Sequence, residues 1–202
     1  MTSIDSTADR GYQRDLVEGP SSAFAIKAGL ALLPGRGFVE DVTVVVEAGA
    51  IAAVTVGDDR ARGGLDGPVV NVPEATLLPG LVDSHVHLSF SGGPDPVGDV
   101  LGVSDVELGV RAYHSALVAL SRGVTTVVDC GARGGVVVRL RDLLDNDVLL
   151  GPRVLAGGAP ITTTAGHCAW LGACADSLDD VIREARRQVA AGADFLKVML
   201  TG

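Results

Sequence analysis

Residues 79–88 read Pro79-Gly80-Leu81-Val82-Asp83-Ser84-His85-Val86-His87-Leu88. On a strand, residues two apart point to the same face. His85 and His87 would then aim two imidazoles at one point, as a metal ion requires. Asp83 would lie on that face one step deeper. A bare H-x-H is as readily an incidental pair at a strand end. The flanks favour the metal reading: the pair follows a β-rich stretch and a Pro-Gly turn, and it opens the Gly/Pro loop Ser89–Pro96. In (β/α)8 barrels the carboxyl ends of the strands carry the chemistry.

Working outward toward the C-terminus, strands and helices alternate. Leu81–His87 reads as a short apolar strand. Asp105–Arg122 reads as a helix capped by Ser104, with Gly123 just past its end. Val124–Asp129 is a strand, Val136–Leu144 a helix and Arg153–Ala156 a strand. A long loop runs to Asp176. Ser177–Ala191 is a helix with Ser177 as N-cap and Gly192 as stop, and Phe195–Met199 is a further strand. The order β-α-β-α-β-α-β predicts a parallel sheet or barrel with crossover helices.

Toward the N-terminus the pattern is different. Ala23–Leu33, Asp41–Glu47 and Ala50–Val56 are rich in Val, Ile, Ala and Thr, and Gly-containing turns at Pro34–Gly37 and Ala48-Gly49 separate them. They predict a small antiparallel sheet. Asp58–Pro68 reads as loop, and Val69–Leu78 as a returning strand. The boundary is expected near Pro79. That divides the chain into a flexible arm (1–22), a β portion (23–78) and a β/α portion (79–202).

Composition narrows the function. The formal net charge is −9, with no basic patch, so nucleic acid is not an expected partner. No apolar run approaches the roughly 20 residues that cross a bilayer, and the polar start MTSIDSTADRGYQRD lacks the apolar segment of a secretory signal. The three cysteines, Cys130, Cys168 and Cys174, form no C-x-x-C. A cytoplasmic location is therefore expected. Mean hydropathy is +0.36 with few aromatics. That suits small-residue packing in an ordinary core, and equally apolar surface meant for another chain.

Further residues carry candidate chemistry. Lys197 stands in the apolar run Phe195-Leu196-Lys197-Val198-Met199. Burying a charged, unpaired lysine costs several kcal/mol (about 3–5 pKa units' worth at the extreme). It is either a snorkelling or ion-paired lysine, or an amine carboxylated by carbon dioxide to an anionic carbamate. His167, in Thr164-Ala165-Gly166-His167-Cys168, is either a solvated loop histidine or a donor to substrate. Asp129 ends a strand as a pocket-wall group, a support for the site, or a loop-start cap. His114 reads as structural or exposed. Gly131-Ala132-Arg133-Gly134-Gly135 matches neither nucleotide-binding fingerprint.

Pro79–Leu88 together with Gly123-Val124-Thr125-Thr126-Val127-Val128-Asp129-Cys130-Gly131 and Gly192-Ala193-Asp194-Phe195-Leu196-Lys197-Val198-Met199 resembles the amidohydrolase superfamily, in its imidazolonepropionase-like and prolidase-like branch. The likeness runs from about Ala23 to Gly202. It implies an α/β fold: the N-terminal half of a (β/α)8 TIM barrel plus part of a small β-sandwich. It implies His85 and His87 as metal ligands and Lys197, as a carbamate, bridging two divalent ions. Zinc is the first expectation, with cobalt, manganese or iron as alternatives. His167 would face the substrate. Where this branch commonly has Arg-Asp, this chain has Val128-Asp129.

The implied reaction is hydrolysis of a small molecule at an amide, peptide, carbamate, urea or related bond. The superfamily's two further histidines and its aspartate, after strands five, six and eight, have no counterpart here. Only four strand–helix steps precede Gly202. A second polypeptide carrying the rest of the barrel is therefore expected, within a higher oligomer, and this chain alone is expected to be inactive. The rivals are a non-catalytic assembly subunit and a mononuclear deaminase-type enzyme with unmodified Lys197.

Overall fold

The computed structural model describes residues 23–57 and 67–200. The arm 1–22 and most of the loop expected at 58–68 lie outside the described residues. The chain divides into two compact units between Pro79 and Gly80.

The first unit is a four-stranded sheet of order β3-β2-β1-β4, built from β1 (Phe24–Leu33), β2 (Gly37–Glu47), β3 (Ala50–Val56) and β4 (Val69–Leu77). The first three strands are antiparallel neighbours, and β2 starts earlier than its apolar run suggested. Ala48 (φ 49°) and Gly49 (φ 76°) form the two-residue turn between β2 and β3, both in the left-handed region that a tight hairpin demands. The sheet is mixed and not purely antiparallel, because β4 pairs parallel to β1. The long excursion between β3 and β4 lets the chain return in the same direction as β1, which no hairpin allows. Ala31, Val42 and Val44 form its buried centre.

The second unit holds a parallel sheet, β5 (Leu81–Val86), β6 (Val124–Asp129) and β7 (Arg153–Ala156), in sequence order. A short helix α1 (Pro96–Leu101), starting where the expected loop Ser89–Pro96 ends and not anticipated from the sequence, precedes the long helix α2 (Asp105–Ser121). The Asp95 side chain caps α1 by accepting from the Gly98 amide, 2.9 Å. Ser104 and Glu107 make a reciprocal capping box on α2: Ser104 N–H donates to Glu107 Oε2 at 2.9 Å, and Glu107 N–H to Ser104 Oγ at 3.3 Å. Those contacts hold the Glu107 carboxyl below its ordinary range. Helices α2 and α3 (Val136–Asp145) are the crossovers that parallel pairing needs. Leu108, Ala112 and Ala116 of α2 and Val137 and Leu140 of α3 pack with Val127 and Val154 of the sheet into one buried core.

The long loop before Ser177 contains a small parallel pair, β8 (Ile161–Thr162) and β9 (Ala173–Cys174). Helix α4 (Leu178–Ala190) follows, with the Ser177 hydroxyl accepting from the Asp180 amide at 3.2 Å. The strand expected at Phe195–Met199 is a correction. Only one bridge forms, between Val198 and Ile161. Its partner β8 is two residues long and is shared with β9, so no longer ladder is offered to it. Among the described residues, no helix is long and apolar enough to cross a membrane.

Candidate metal centre

The site begins where β5 ends. The strand stops at Val86, so His87 lies just beyond it and not within it as the alternation predicted. The two imidazoles nevertheless converge: their centroids lie 5.6 Å apart, edge to face. With Zn–N bonds of about 2.0–2.1 Å, a zinc ion sits about 3.2 Å from each ring centre, so rings at this separation are close enough to share one ion. His85 is exposed and His87 half-buried. The Asp83 carboxylate turns back on the chain and accepts from the His85 amide at 3.2 Å.

Three contacts fix the His87 ring and the chain around it. Its Nδ1 lies 2.9 Å from the Gly131 carbonyl. A carbonyl only accepts, so Nδ1 carries the proton, and in the neutral ring Nε2 keeps a free lone pair. A hydrogen bond to the second nitrogen is how metal-binding histidines are commonly oriented. Phe90 stacks on the ring at 4.6 Å, and Trp170 packs on Phe90 at 5.5 Å. Gly131 has φ 156°, and a Cβ there would meet Pro160 Cγ at 2.5 Å, so only glycine brings this carbonyl to the imidazole.

Asp129 is fully buried at the end of β6. Its Oδ2 accepts from the Leu88 amide at 2.7 Å and its Oδ1 from the Gly131 amide at 3.0 Å. One carboxylate thus ties the residue after His87 to the residue whose carbonyl orients His87. Burial pushes the Asp129 carboxyl above its ordinary range, and the two amide donors pull it part of the way back. Its two acceptor bonds thus lie on the chain around His87, at Leu88 and Gly131.

Asp129→Asn is expected to break this tie, because an amide offers one acceptor oxygen where two N–H groups need two. One buried N–H left facing an NH2 costs about 1–3 kcal/mol. Loss of such supports typically weakens metal binding by about 10–100-fold. Thermal unfolding and zinc titration of the variant would check both figures.

Lys197 is half-buried. Its backbone carbonyl accepts from the Ile161 amide at 2.8 Å. Its charge reaches the Cys130 and Cys168 thiols: burial pushes both thiols up, and the lysine lowers each in part. His167 is exposed, in a loop braced by Thr164, whose amide donates to Asp176 Oδ1 at 2.7 Å. Ala165 and Cys168, on either side of it, adopt left-handed backbone, φ 59° and 61°. The structure therefore brings His85 beside His87 and ties Asp129 to the chain on either side of the His87 contact, while Lys197 lies on the segment bonded to Ile161 and His167 stands on a separate loop. His114 is exposed and lines a cavity of about 510 Å³ together with His87, Phe90 and Ser91.

The donor set suits a divalent ion in part. Two neutral imidazoles, one with its tautomer fixed, and one amine are present. Among the described residues, no three His, Cys, Asp or Glu side chains are placed to hold a metal. Phe90 and Trp170 were not singled out in the sequence, and Gly131 was read there only as part of a glycine-rich turn and a family-like stretch. Gly131 had one legible signal, a glycine straight after the Asp129-Cys130 strand end.

A parallel β/α unit with a histidine pair at the carboxyl end of its first strand is a β/α-barrel type of scaffold, with the pair at the end where such barrels carry their chemistry. The chain belongs to the amidohydrolase family, whose model matches residues 76–202. It is 28% identical over 206 residues to the ochratoxinase of Aspergillus niger, a match covering 88% of this chain and 42% of that protein. A crystal structure of a Xaa-Pro dipeptidase with bound methionine superposes with a TM-score of 0.78 at 26% identity, covering 90% of this chain and 48% of that one. A prolidase complexed with N-methylphosphonate-L-proline superposes with a TM-score of 0.74 at 25% identity, covering 90% and 47%. The fold is α/β, part of a TIM barrel with part of a small β domain, and the chain spans less than half the length of these relatives.

Proposed function

We propose that this chain supplies the first half of the active site of a metal-dependent hydrolase that cleaves an amide-type C–N bond. The observation that carries this reading is the His85–His87 pair with its orienting Gly131 carbonyl. The relatives named above, a dipeptidase, a prolidase and an ochratoxinase, support the bond class.

In this reading His85 and His87 hold a divalent ion through ring nitrogens. Lys197 is the third group. Its Nζ, once deprotonated, would form an N–C bond to carbon dioxide and release one further proton, giving an anionic carbamate that would help hold the ion. Bound divalent ions lower the pKa of water and polarise a substrate carbonyl. This chain's residues do the rest of what falls to this half. Gly131 and Phe90 fix the His87 ring, Asp129 fixes the turn that carries Gly131, and His167 donates a hydrogen bond to the substrate. A carboxylate from the remaining half of the barrel moves the proton to the leaving group.

The rest of the barrel would supply the further ligands, two histidines and an aspartate. A closed zinc site takes four ligands, and two imidazoles with one lysine-derived group make three. The test is elemental analysis with a panel of N-acyl amino acids and dipeptides. One or two divalent ions per chain in an active preparation supports the reading; an active, metal-free preparation sinks it.

His167→Ala is expected to lower turnover while metal content stays at the wild-type level, because this residue is assigned to substrate and not to the ion. Parallel loss of metal would make it a ligand instead.

A further inference from the structure

The segment carrying Lys197 makes a single parallel bridge, Val198 to Ile161, so its ladder is short. Around the lysine only two rungs exist: Ile161 N–H donates to Lys197 O at 2.8 Å and Met199 N–H to Ile161 O at 2.9 Å. Three residues upstream, Asp194 makes a different kind of joint. Its own N–H donates to Ala156 O at 2.9 Å, and its Oδ2 accepts from Ala156 N–H at 2.8 Å. The side chain thus supplies the return half of a rung that the backbone leaves open. Arg141, on α3, grips the same oxygen through Nη1 at 2.5 Å. Its Nη2 donates to Gly192 O at 2.7 Å, and its Nε donates to Asp142 at 3.0 Å. Arg141 is 11% exposed, so this ion pair is shielded on the arginine side. Phe195, the next residue, lies so close to Gly157 that a Cβ there would come within 2.8 Å of its ring.

We propose that the Asp194–Arg141 clasp is a positioning device for Lys197, anchoring the start of its segment to the end of β7 and so holding the amine where it takes up carbon dioxide and metal. Asp194 touches Ala156, the last residue of β7, whose register partner in β6 is Asp129. One clasp therefore references the lysine segment to the turn that orients His87. At most about 3.6 Å of chain per residue separates clasp from lysine, so a shift at Asp194 is passed on with little slack. Asp194 acts through Lys197 and is a positioning residue, not a catalytic one. The inference rests on the carbamate reading of Lys197.

The test uses the metal-loaded protein in its native assembly, stripped with chelator and reloaded with zinc across a bicarbonate series. Metal per chain and the bicarbonate concentration for half-maximal uptake are read alongside Tm. Asp194→Ala and Arg141→Ala are expected to raise that concentration by about tenfold or more, the usual scale for losing a supporting contact. Asp194→Asn should shift it less, since its amide oxygen still accepts from Ala156. Arg133→Ala is the control. Arg133 donates to Val100 O and Val103 O and pairs with Asp105, so its loss should lower Tm and leave the bicarbonate dependence alone. If Asp194→Ala does not fold, Asp194→Asn and Arg141→Lys make the same comparison. Wild-type bicarbonate dependence in the clasp variants, with Lys197→Ala still losing its metal, overturns the clasp and leaves the carbamate standing. A wild-type protein with no bicarbonate dependence overturns both.

Discussion

Lys197→Ala is expected to empty the site and abolish catalysis. A metal ion contributes several kcal/mol to the transition state, and each 1.4 kcal/mol is about tenfold in rate, so the loss in kcat/KM should exceed about 10²–10³-fold. The reasoning starts from chemistry. Two imidazoles are neutral ligands and compensate none of the charge on a divalent ion. A carbamate at Lys197 adds the anion, and it does so beside thiols that burial keeps protonated and therefore poor ligands. Elemental analysis and intact mass of wild type and variant give the answer. Wild-type protein should carry the added mass of one carbon dioxide at Lys197, lost on acidification. A variant with full metal content and full rate removes Lys197 from the site, and a wild-type protein with metal but unmodified lysine favours the mononuclear alternative.

The helices and their caps were legible because their signals are local. Ser104 with Glu107, and Ser177 before its helix, need only neighbours three residues away. The H-x-H pair was legible for the same reason, although the strand ends one residue earlier than the alternation suggested. What could not be read depends on partners far along the chain. Phe195–Met199 has the composition of a strand, but pairing is decided by the neighbour, and β8 offers it one bridge. Gly131 reaches His87 across 44 residues, and Asp129 reaches Leu88 across 41. Asp194 and Arg141 are separated by a whole strand, a loop and a helix, and nothing in either local sequence announces the ion pair. The parallel β1–β4 pairing was hidden likewise, because a strand's composition does not state its direction.

Pairing this chain with the complementary half-barrel is expected to turn an inactive preparation into an active one. Among the described residues, β5 has a hydrogen-bonded strand neighbour on one side only. Leu81 and Val82 on it are 51% and 64% exposed, and near the other edge Leu196, Val198 and Leu200 are 40%, 44% and 90% exposed. Fully covering a leucine or valine contributes about 1.5–3 kcal/mol, so finishing the cover on these five favours association by several kcal/mol. Open parallel edges are also templates for unwanted pairing. The site makes a similar demand, since a pair of divalent ions, or one closed four-ligand zinc centre, needs more than the two imidazoles and one lysine that this half offers. The 202-residue chain alone should therefore bind zinc weakly and hydrolyse nothing. Mixed with a polypeptide carrying strands five to eight, it should form a stable complex by light scattering, retain metal through dialysis and cleave an amide substrate. A monodisperse preparation of this chain alone with full metal content and full rate would refute the need for a complement. A tight, metal-free, inactive complex would instead identify the chain as a scaffold that keeps its histidines without using them.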